Sequence, residues 1–300
     1  MIPNFIRSPL VRLLKTLKGS PRLVSIKRLV WKKYFNFKGN YFDFNRLNVC
    51  RTFPLFTPHS AGSYKDLSRL TVQAVNETIP LLSAFAMSVG NRHCKGTSIK
   101  SFPVSDEDLE AASEIKTYFD RHGSDKGSNG YHNVYGPILK KRDEVTGILE
   151  IGLGTNNIDV VSNMALWGTP GASLRAFREF LKSAMIFGAD IDKRILFEEE
   201  RIKTFFVDQT DAVTFDELGK SIPSDLDLVI DDGLHSPNAN IETLKFGLTK
   251  IRIGAWVVVE DIAPEAIPVW EVVSALLPGN YQPHILRGES AFVFAVKRTG

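Results

Sequence analysis

The stretch LDLVIDDGLHSPNANIETLKFGLTKIRIGAWVVVED, residues 226–261, decides the fold class of this chain. It opens and closes with short apolar runs, at 226–232 and 255–261, and a helix-like run at 238–251 separates them. Apolar strands that alternate with helices are typical of a parallel sheet covered by helices on both faces. The stretch therefore predicts a strand–helix–strand unit of an α/β fold.

The same alternation continues on both sides of this unit, with a further helix-like run at 172–183. Five more strand-like runs are GILEI (147–151), AMIFGAD (184–190), TFFVDQ (204–209), QPHILRG (282–288) and AFVFAVK (291–297). The last two runs are joined only by a short link through Glu289 and Ser290, which favours an antiparallel hairpin. We expect a Rossmann-like α/β sheet of seven strands that ends in this hairpin.

The first hundred residues follow a different pattern. Residues 1–40 contain ten Lys and Arg and no acid, so the whole-chain charge of +3 leaves −7 for the other 260 residues. Apolar residues near helical spacing run through this basic arm, so packing on the body, an anionic membrane surface and nucleic acid all stay open as its contacts. We expect an accessory segment at 41–104 that covers a site or makes a homo-oligomer contact. A helix is expected within it, over 63–86. The catalytic domain is predicted at 105–300, beginning with a helix capped by Ser105.

Composition excludes several classes of protein. Hydrophobic residues make up 43% of the chain and charged residues 24%, which is ordinary for a globular protein. Cys50 and Cys94 lie far apart and in no metal-ligand spacing, so neither a disulfide framework nor a zinc site is predicted. No apolar run reaches the roughly 18 residues of a transmembrane helix, and the N-terminus lacks the pattern of a signal peptide. We expect a cytoplasmic protein, and peripheral contact with the inner face of the membrane stays open.

Polar residues follow the predicted strands where these leave the core. In chain order they are Gly152, Gly154 and Thr155, then Asp190, then Asp208 and Gln209, then Asp231 and Asp232, and then Glu260 and Asp261. Ligands of open α/β sheets bind beyond the carboxyl ends of the strands, so this edge predicts a functional site. Asn157 replaces the third glycine of GxGxxG, and we expect the next helix to be capped only at Ser173. That departure disfavours a dinucleotide dehydrogenase.

A nucleotide-type cofactor explains part of this edge. Gly152 and Gly154 would let a ligand approach the backbone closely. Asp190 can accept both hydroxyls of a ribose, and Asp208 with Gln209 can read an adenine edge. Acids also cap helices that follow strands, so each single residue has a structural explanation as well.

Several motifs together resemble a known family. They are ILEIGLGT, GSDKGSNGYHNVY, PGASLRAFREF, GADIDKR, VDQTD, IDDGLHS and VVVEDI, followed by the terminal hairpin. They resemble class I S-adenosylmethionine-dependent methyltransferases, and more specifically the metal-dependent sugar O-methyltransferases of macrolide biosynthesis, of the mycinamicin and tylosin type. The resemblance covers roughly residues 118–297 and leaves the first hundred residues unexplained.

The resemblance implies Mg²⁺-assisted transfer of a methyl group from S-adenosyl-L-methionine to a sugar hydroxyl of a glycan, glycolipid or glycosylated metabolite. It implies metal ligands at Glu150, Asp232 and Asp261 and a general base at His235. The residues expected to contact the cofactor are Gly152, Gly154, Thr155, Asp190, Asp208, Gln209 and Asp231. The residue types agree independently, because three carboxylates at neighbouring strand ends can converge on one hard cation, and oxygen ligands suit Mg²⁺.

Alternatives to this interpretation stay open. The chain can be a small-molecule O-methyltransferase or a cephalosporin hydroxylase-like protein of the same fold, or a non-catalytic S-adenosylmethionine-binding protein. His235 can merely cap the helix that follows it. Lys126 and His132, in the loop predicted over 123–137, are weaker candidates for cofactor or acceptor contacts. Nucleic-acid methylation is disfavoured, because the chain has neither a [DN]PP[YF] motif nor a Pro-Cys nucleophile.

Overall fold

The computed structural model describes residues 45–60, 63–89, 94, 96–165 and 168–300. The chain divides into two compact units, Met1–Leu81 and Leu82–Gly300. The basic arm predicted at 1–40 lies outside the described residues. The predicted domain boundaries after residues 40 and 104 stay predictions.

The described part of the first unit is mostly helical. Residues 45–52 form a helix, a 3-10 turn follows at Pro54–Phe56, and helix α1 spans Tyr64–Val89 and continues into the second unit. Ser63 opens α1, because its hydroxyl accepts from the amide of Asp66 and donates to the Asp66 carboxylate. The predicted helix is confirmed and extends three residues further. No helix among the described residues is long and apolar enough to cross a membrane.

The second unit is built around a sheet of nine strands. They are β1 (Thr97–Ser98), β2 (Gly147–Ile151), β3 (Met185–Asp190), β4 (Glu198–Glu199), β5 (Ile202–Phe206), β6 (Leu226–Asp231), β7 (Ile251–Ile262), β8 (Tyr281–Arg287) and β9 (Phe292–Arg298). In space they follow the order β1-β8-β9-β7-β6-β2-β3-β5-β4. Strands β5, β3, β2, β6 and β7 run parallel, whereas β9 is antiparallel to both β7 and β8. The predicted α/β class with a terminal hairpin is confirmed.

The strands differ from the predicted runs in three places. The edge strands β1 and β4 are absent from the seven predicted runs, because two-residue polar strands leave no apolar pattern. Strand β7 begins at Ile251, so the preceding helix ends one residue earlier than expected. Strand β5 ends at Phe206, so Asp208 and Gln209 lie in the loop that follows it.

Six described α-helices of the second unit follow α1. They are α2 (Asp106–His122), α3 (His132–Leu139), α4 (Ala172–Phe180), α5 (Ala212–Ser221), α6 (Pro237–Lys250) and α7 (Ile267–Leu276). Short 3-10 turns lie at Ile99–Ser101, Arg142–Glu144, Lys193–Ile195 and Pro264–Ala266. Ser105 caps α2 as predicted, in a reciprocal capping box with Asp108. The loop predicted over 123–137 is wrong in its last part, where α3 begins at His132. Val134 and Tyr135 are fully buried and anchor this helix in the core.

Both faces of the sheet are buried. Strand β2 is buried along its whole length, and its side chains alternate between the two faces. Ile148 packs in one core cluster with Phe177, whereas Leu149 and Ile151 belong to the cluster on the other face. Glu150 shares the face of Ile148, so a carboxylate is fixed inside the core and needs polar partners there.

Candidate active site

A cavity of about 790 Å³ opens at the carboxyl ends of β2, β3, β5 and β6, and the end of β7 also reaches it. The predicted site residues that line it are Gly152, Gly154, Asp190, Asp208, Gln209, Asp232, His235 and Asp261. Glu150, Thr155 and Asp231 are not among the described lining residues. The strand-end pattern therefore located the cavity, and the three exceptions need separate explanations.

Close backbone contact shapes the glycine turn after β2. Gly152 has φ 97°, and a Cβ atom there would lie 2.0 Å from the carbonyl oxygen of Asp232. Gly154 has φ 72°, and a Cβ atom there would lie 2.3 Å from the sulfur of Met164. Because a side chain at Gly152 would clash with backbone atoms, the fold itself requires that glycine, whereas at Gly154 the Met164 side chain can move and the positive φ is what favours glycine. Their predicted contact with a ligand stays a prediction.

Asp190, at the end of β3, holds the same turn in place. Its Oδ2 accepts from the amide of Leu153 and its Oδ1 from the amide of Asp192, each at 2.8 Å. Burial raises the pKa of Asp190, and these backbone hydrogen bonds offset part of that increase. A ribose bound here would share oxygens that already accept backbone amides.

Thr155 is directed towards Asp192 and not towards the cavity. Its hydroxyl donates to Oδ2 of Asp192 at 2.7 Å, and the side-chain Nδ2 of Asn157 donates to the same oxygen at 2.7 Å. Hydrogen bonds from Arg194 are the main reason why the pKa of Asp192 is lowered. Thr155 is only 1% exposed, and its predicted contact with a cofactor stays a prediction. Asp192, which the strand-end pattern did not single out, anchors the loop after β2.

Asp231 and Gln209 brace the turn after β6. The amide nitrogen of Gln209 donates to Asp231 at 2.8 Å, and its oxygen accepts from the backbone amide of Leu234 at 2.7 Å. Asn240 donates to the other oxygen of Asp231 at 3.0 Å. Burial raises the pKa of the fully buried Asp231. Asp231 therefore supports the wall of the cavity from behind, and its predicted contact with the cofactor stays a prediction.

Lys126 lies at the centre of a cluster of acidic side chains at the ends of β2, β6 and β7. Only 1% of it is exposed, and its ammonium nitrogen lies 3.0 Å from Glu150, 2.7 Å from Asp232 and 2.5 Å from Glu260. The sequence places Lys126 in a glycine-rich loop, and nothing in its local pattern shows that it returns to the sheet edge. An ammonium buried among carboxylates is tolerated only because they pair with it.

Two tyrosines donate hydrogen bonds to the same acidic cluster. The Tyr131 hydroxyl donates to Asp261, and the Tyr135 hydroxyl donates to Glu260. Burial, reinforced by the nearby charge of Glu260, raises the pKa of both phenols, so they remain donors. Neither tyrosine is among the site residues predicted from the sequence. Their four-residue spacing at the start of α3 is the only signal that could have suggested a shared helix face.

In the part of the chain that the structure describes, Asp232, His235 and Asp261 are the group with metal-ligand spacing, with ligand atoms within 4.8 Å of one another. Nε2 of His235 lies 3.9 Å from Asp232 Oδ1 and 3.8 Å from Asp261 Oδ2. Glu150 is not in this group, since its Oε2 accepts from Ser173 at 2.6 Å and its Oε1 faces Lys126. In the structure Glu150 faces Lys126 and Ser173 in the core, and its predicted role as a metal ligand stays a prediction.

The local backbone supports this arrangement. His235 has φ 55° and Asp261 has φ 52°, so both non-glycine residues adopt the left-handed conformation, which is frequent where function constrains the chain. His235 does not cap α6, whose N-cap is Ser236. Helix α4 is preceded by Gly171 as its N-cap, so the expectation that Ser173 caps it is also wrong.

The acidic cluster contains four carboxyl groups and one ammonium, and Lys126 contacts three of the four. Burial opposes the charge of Lys126, yet Asp232, Glu260 and Glu150 outweigh that penalty and raise its pKa well above the ordinary value. Burial raises the pKa of Glu150, and it raises that of Glu260 well above its usual range, which favours the neutral form of both acids. Asp232 and Asp261 line the cavity, and two carboxylates at its wall suit a further cation.

Comparison with known proteins gives relatives for part of the chain. It is 28% identical over 153 residues to 8-demethyl-8-alpha-L-rhamnosyl tetracenomycin-C 2'-O-methyltransferase of Streptomyces olivaceus, a match that covers 50% of this chain and 38% of the relative. It is 35% identical over 122 residues to demethylmacrocin O-methyltransferase of Streptomyces fradiae, which covers 40% of this chain and 28% of the relative. The chain is related to these sugar-directed O-methyltransferases.

The methyltransferase relatives match the chain only in part, and no protein-family model matches it. The chain spans less than two-fifths of the length of either relative. A solved structure of the MycE methyltransferase from the mycinamycin biosynthetic pathway, in complex with Mg and SAH, is 22% identical with a TM-score of 0.49 and covers 62% of this chain and 54% of its own. The sheet, with β9 antiparallel between β7 and β8, has the α/β arrangement and the terminal hairpin that the sequence predicts.

Proposed function

We propose that this chain is an S-adenosylmethionine-dependent, Mg²⁺-assisted O-methyltransferase that acts on a sugar hydroxyl of a glycan, glycolipid or glycosylated metabolite. The observation that carries the proposal is the convergence of Asp232, His235 and Asp261 at the wall of the strand-end cavity. Methyl transfer to a hydroxyl needs a base beside the acceptor and a methyl donor held in line with it. The names of the relatives support a sugar hydroxyl as the acceptor.

The residues present fit a Mg²⁺ ion. Asp232 and Asp261 would hold it through carboxylate oxygens, the ligands that Mg²⁺ prefers, and one or two carboxylates are the usual protein contribution. Both aspartates line the cavity, so a divalent cation that enters it can reach their oxygens. When bound, the ion would supply Lewis acidity that makes a contacting acceptor hydroxyl more acidic.

His235 would accept the proton of the acceptor hydroxyl at Nε2. Its side chain is 33% exposed, so an acceptor in the cavity can reach it. The left-handed backbone at His235 turns the ring back towards Asp232 and Asp261. This places the base beside the carboxylates that would fix the acceptor, and orientation of this kind accounts for much of the rate of a group transfer.

The other half of the cavity would hold S-adenosylmethionine, which supplies the methyl group. Asp208 lies on its wall, where its Oδ1 accepts from the amide of Thr210 at 2.9 Å. Gly152 leaves the backbone uncovered, and Asp190 and Gln209 keep the two bordering turns in place. We infer that these residues bind the adenosine portion and keep the methyl group facing His235.

The proposal is tested by following methyl transfer from labelled S-adenosylmethionine to a panel of rhamnosylated and otherwise glycosylated acceptors, with Mg²⁺ or with excess EDTA. We expect transfer that requires Mg²⁺ and that is lost in Asp261→Asn. Glu217→Gln, which changes an exposed acid on α5, is the control and should retain activity. Transfer that continues in EDTA would overturn the role of the metal. Cofactor binding without transfer to any acceptor would favour a non-catalytic binding protein.

We also propose that the basic arm at 1–40 contacts an anionic membrane surface, on the strength of its ten Lys and Arg without an acid. The test is flotation of the full chain with vesicles that contain phosphatidylglycerol. Replacing Lys15, Lys18, Lys32 and Lys33 together by Gln should reduce recovery with the vesicles. Equal recovery of both proteins would rule the contact out.

A further inference from the structure

Donors from one short segment, residues 126–135, reach four carboxylates at the strand ends. Lys126 contacts Glu150, Asp232 and Glu260. The two tyrosines of the segment, Tyr131 and Tyr135, donate to Asp261 and Glu260. The segment comes before β2 in the chain, so it is an element separate from the strands whose acids it contacts.

The two carboxylate oxygens of Asp232 have different neighbours in this network, and so do those of Asp261. Asp232 gives Oδ2 to Lys126, at 2.7 Å, and turns Oδ1 towards His235. Asp261 gives Oδ1 to Tyr131 and turns Oδ2 towards His235. In each aspartate the segment holds one oxygen and leaves the other beside the imidazole. A carboxylate held by one oxygen cannot rotate freely, so the position of the second oxygen is fixed as well.

The segment is itself rigidly mounted. The carbonyl of Lys126 accepts from the amides of Tyr131, at 3.0 Å, and His132, at 3.4 Å, which closes the loop into α3. Helix α3 then packs tightly on α2, since a Cβ atom on Gly136 would lie 2.3 Å from the backbone of Ala112. Lys126, Tyr131 and Tyr135 are at most 3% exposed. Apolar residues would fill this space at lower cost than a buried ammonium, so the polar donors need a reason other than packing.

We propose that Tyr131, Tyr135 and Lys126 are positioning residues for a divalent cation that binds between Asp232 and Asp261. The inference rests on the proposed function, because it concerns the same site. Tyr131 acts directly, through Asp261. Tyr135 acts at one remove, through Glu260 and Lys126 on Asp232. Loss of the Tyr131 hydroxyl should therefore weaken cation binding more than loss of the Tyr135 hydroxyl.

The test uses Mn²⁺ as a probe, since it accepts the same oxygen ligands as Mg²⁺. Free Mn²⁺ is measured by electron paramagnetic resonance during titration of the full chain, without acceptor. Tyr131→Phe and Tyr135→Phe remove one hydroxyl each and change no charge. Tyr118→Phe is the matched control, because its ring packs against Phe180 away from the acidic cluster.

We expect Tyr131→Phe to raise the Kd for Mn²⁺ about tenfold, as is usual when a residue that orients a ligand is lost. Tyr135→Phe should raise it less, and Tyr118→Phe should not change it. The melting temperature and the affinity for S-adenosylhomocysteine, measured on the same samples, should stay close to those of the unsubstituted chain. A purely structural role would change the melting temperature and not the Kd.

Two results would overturn the inference, and they are distinguishable. If the unsubstituted chain binds Mn²⁺ but Tyr131→Phe binds it equally well, positioning by the segment is wrong while the proposed metal site stands. If the unsubstituted chain binds no Mn²⁺, the metal site of the proposed function fails, and positioning of that metal fails with it.

Discussion

The two halves of the site stabilise their buried acids in different ways. In the amide-bonded half, Asp190 and Asp231 accept hydrogen bonds from backbone amides and from the neutral side chains of Gln209 and Asn240. In the lysine-centred half, formed by Glu150, Asp232, Glu260 and Asp261, the carboxylates meet the ammonium of Lys126 and two phenols. Neutral donors hold the acids of the first half without adding an opposite charge, whereas in the second half the carboxyl groups meet an ammonium, and Asp232 and Asp261 line the cavity where a cation can reach them. Acids at the ends of neighbouring strands can therefore stabilise turns in one half of the site and be available to bind a cation in the other.

The largest expected effect is on catalysis, which should depend on His235 beside the lysine-centred half and leave cofactor binding in the amide-bonded half unchanged. His235→Ala should lower kcat for methyl transfer by about 10²–10⁴-fold, because a general base contributes that much. The affinity for S-adenosylhomocysteine, measured by calorimetry, should not change, since the cofactor contacts are assigned to the amide-bonded half. His59→Ala, at an exposed position of the first unit, is the control. A His235→Ala enzyme with undiminished turnover would remove the base from the mechanism.

The next largest expected effect is on the free energy of unfolding, through the lysine-centred half. Lys126→Met leaves Glu150 and Glu260 buried without their counter-charge, and we expect the free energy of unfolding to fall by about 3–5 kcal/mol. Urea denaturation measures it, and Lys220→Met, which removes an exposed partner of Glu217, should change the free energy of unfolding little, because solvent screens exposed ion pairs. Adding Glu260→Gln to Lys126→Met should restore part of the loss. If Lys126→Met is as stable as the unsubstituted chain, the ammonium does not hold this half together.

A smaller effect is expected on the amide-bonded side. Gln209→Ala removes donors to Asp231 and the acceptor for the amide of Leu234, and it should lower the free energy of unfolding by about 1–3 kcal/mol. Binding of S-adenosylhomocysteine should weaken, because the turn beside the cavity loses its brace. The Kd for Mn²⁺ should stay the same. A change in Mn²⁺ affinity as large as the change in cofactor affinity would show that the halves are not independent.

The smallest expected effect is a pH dependence at Asp192. Its pKa is lowered in the folded state, chiefly by Arg194, so its contribution to stability is fully present above the unfolded value, near 3.9, and is lost as the pH falls towards the lower folded value. Asp192→Asn should therefore be less stable than the unsubstituted chain at neutral pH. The difference between the two unfolding free energies, from urea titrations between about pH 3 and 7, should be constant near neutral pH and begin to shrink below about pH 4. A difference that does not shrink with falling pH would mean that the charge of Asp192 is not what stabilises the loop.

The sequence predicts the sheet better than it predicts the site. Apolar runs such as 226–232 mark strands reliably, because a strand buried on both faces needs an unbroken apolar pattern. The polar residues after those runs also mark the edge where the cavity lies, since parallel strands end together. The two-residue strands β1 and β4 leave no such pattern.

The roles of individual site residues depend on contacts between distant segments. Glu150 reads as a strand-end acid, but the pleat directs it into the core, where Lys126 and Ser173 meet it. Asp231 and Asp232 are adjacent in the chain, yet one faces Gln209 behind the cavity wall and the other faces the cavity. No local pattern reveals such partners, so the sequence predicts the chemistry of the edge without assigning each acid its role.

The most direct test of the metal-assisted site is the location of a bound ion. Crystals of the full chain, grown with S-adenosylhomocysteine and Mn²⁺, would show the ion by its anomalous scattering. We predict one Mn²⁺ ion between Asp232 and Asp261, beside Nε2 of His235 and on the open side of the cluster around Lys126. S-adenosylhomocysteine bound in the cavity with no Mn²⁺ at these two aspartates would contradict the account.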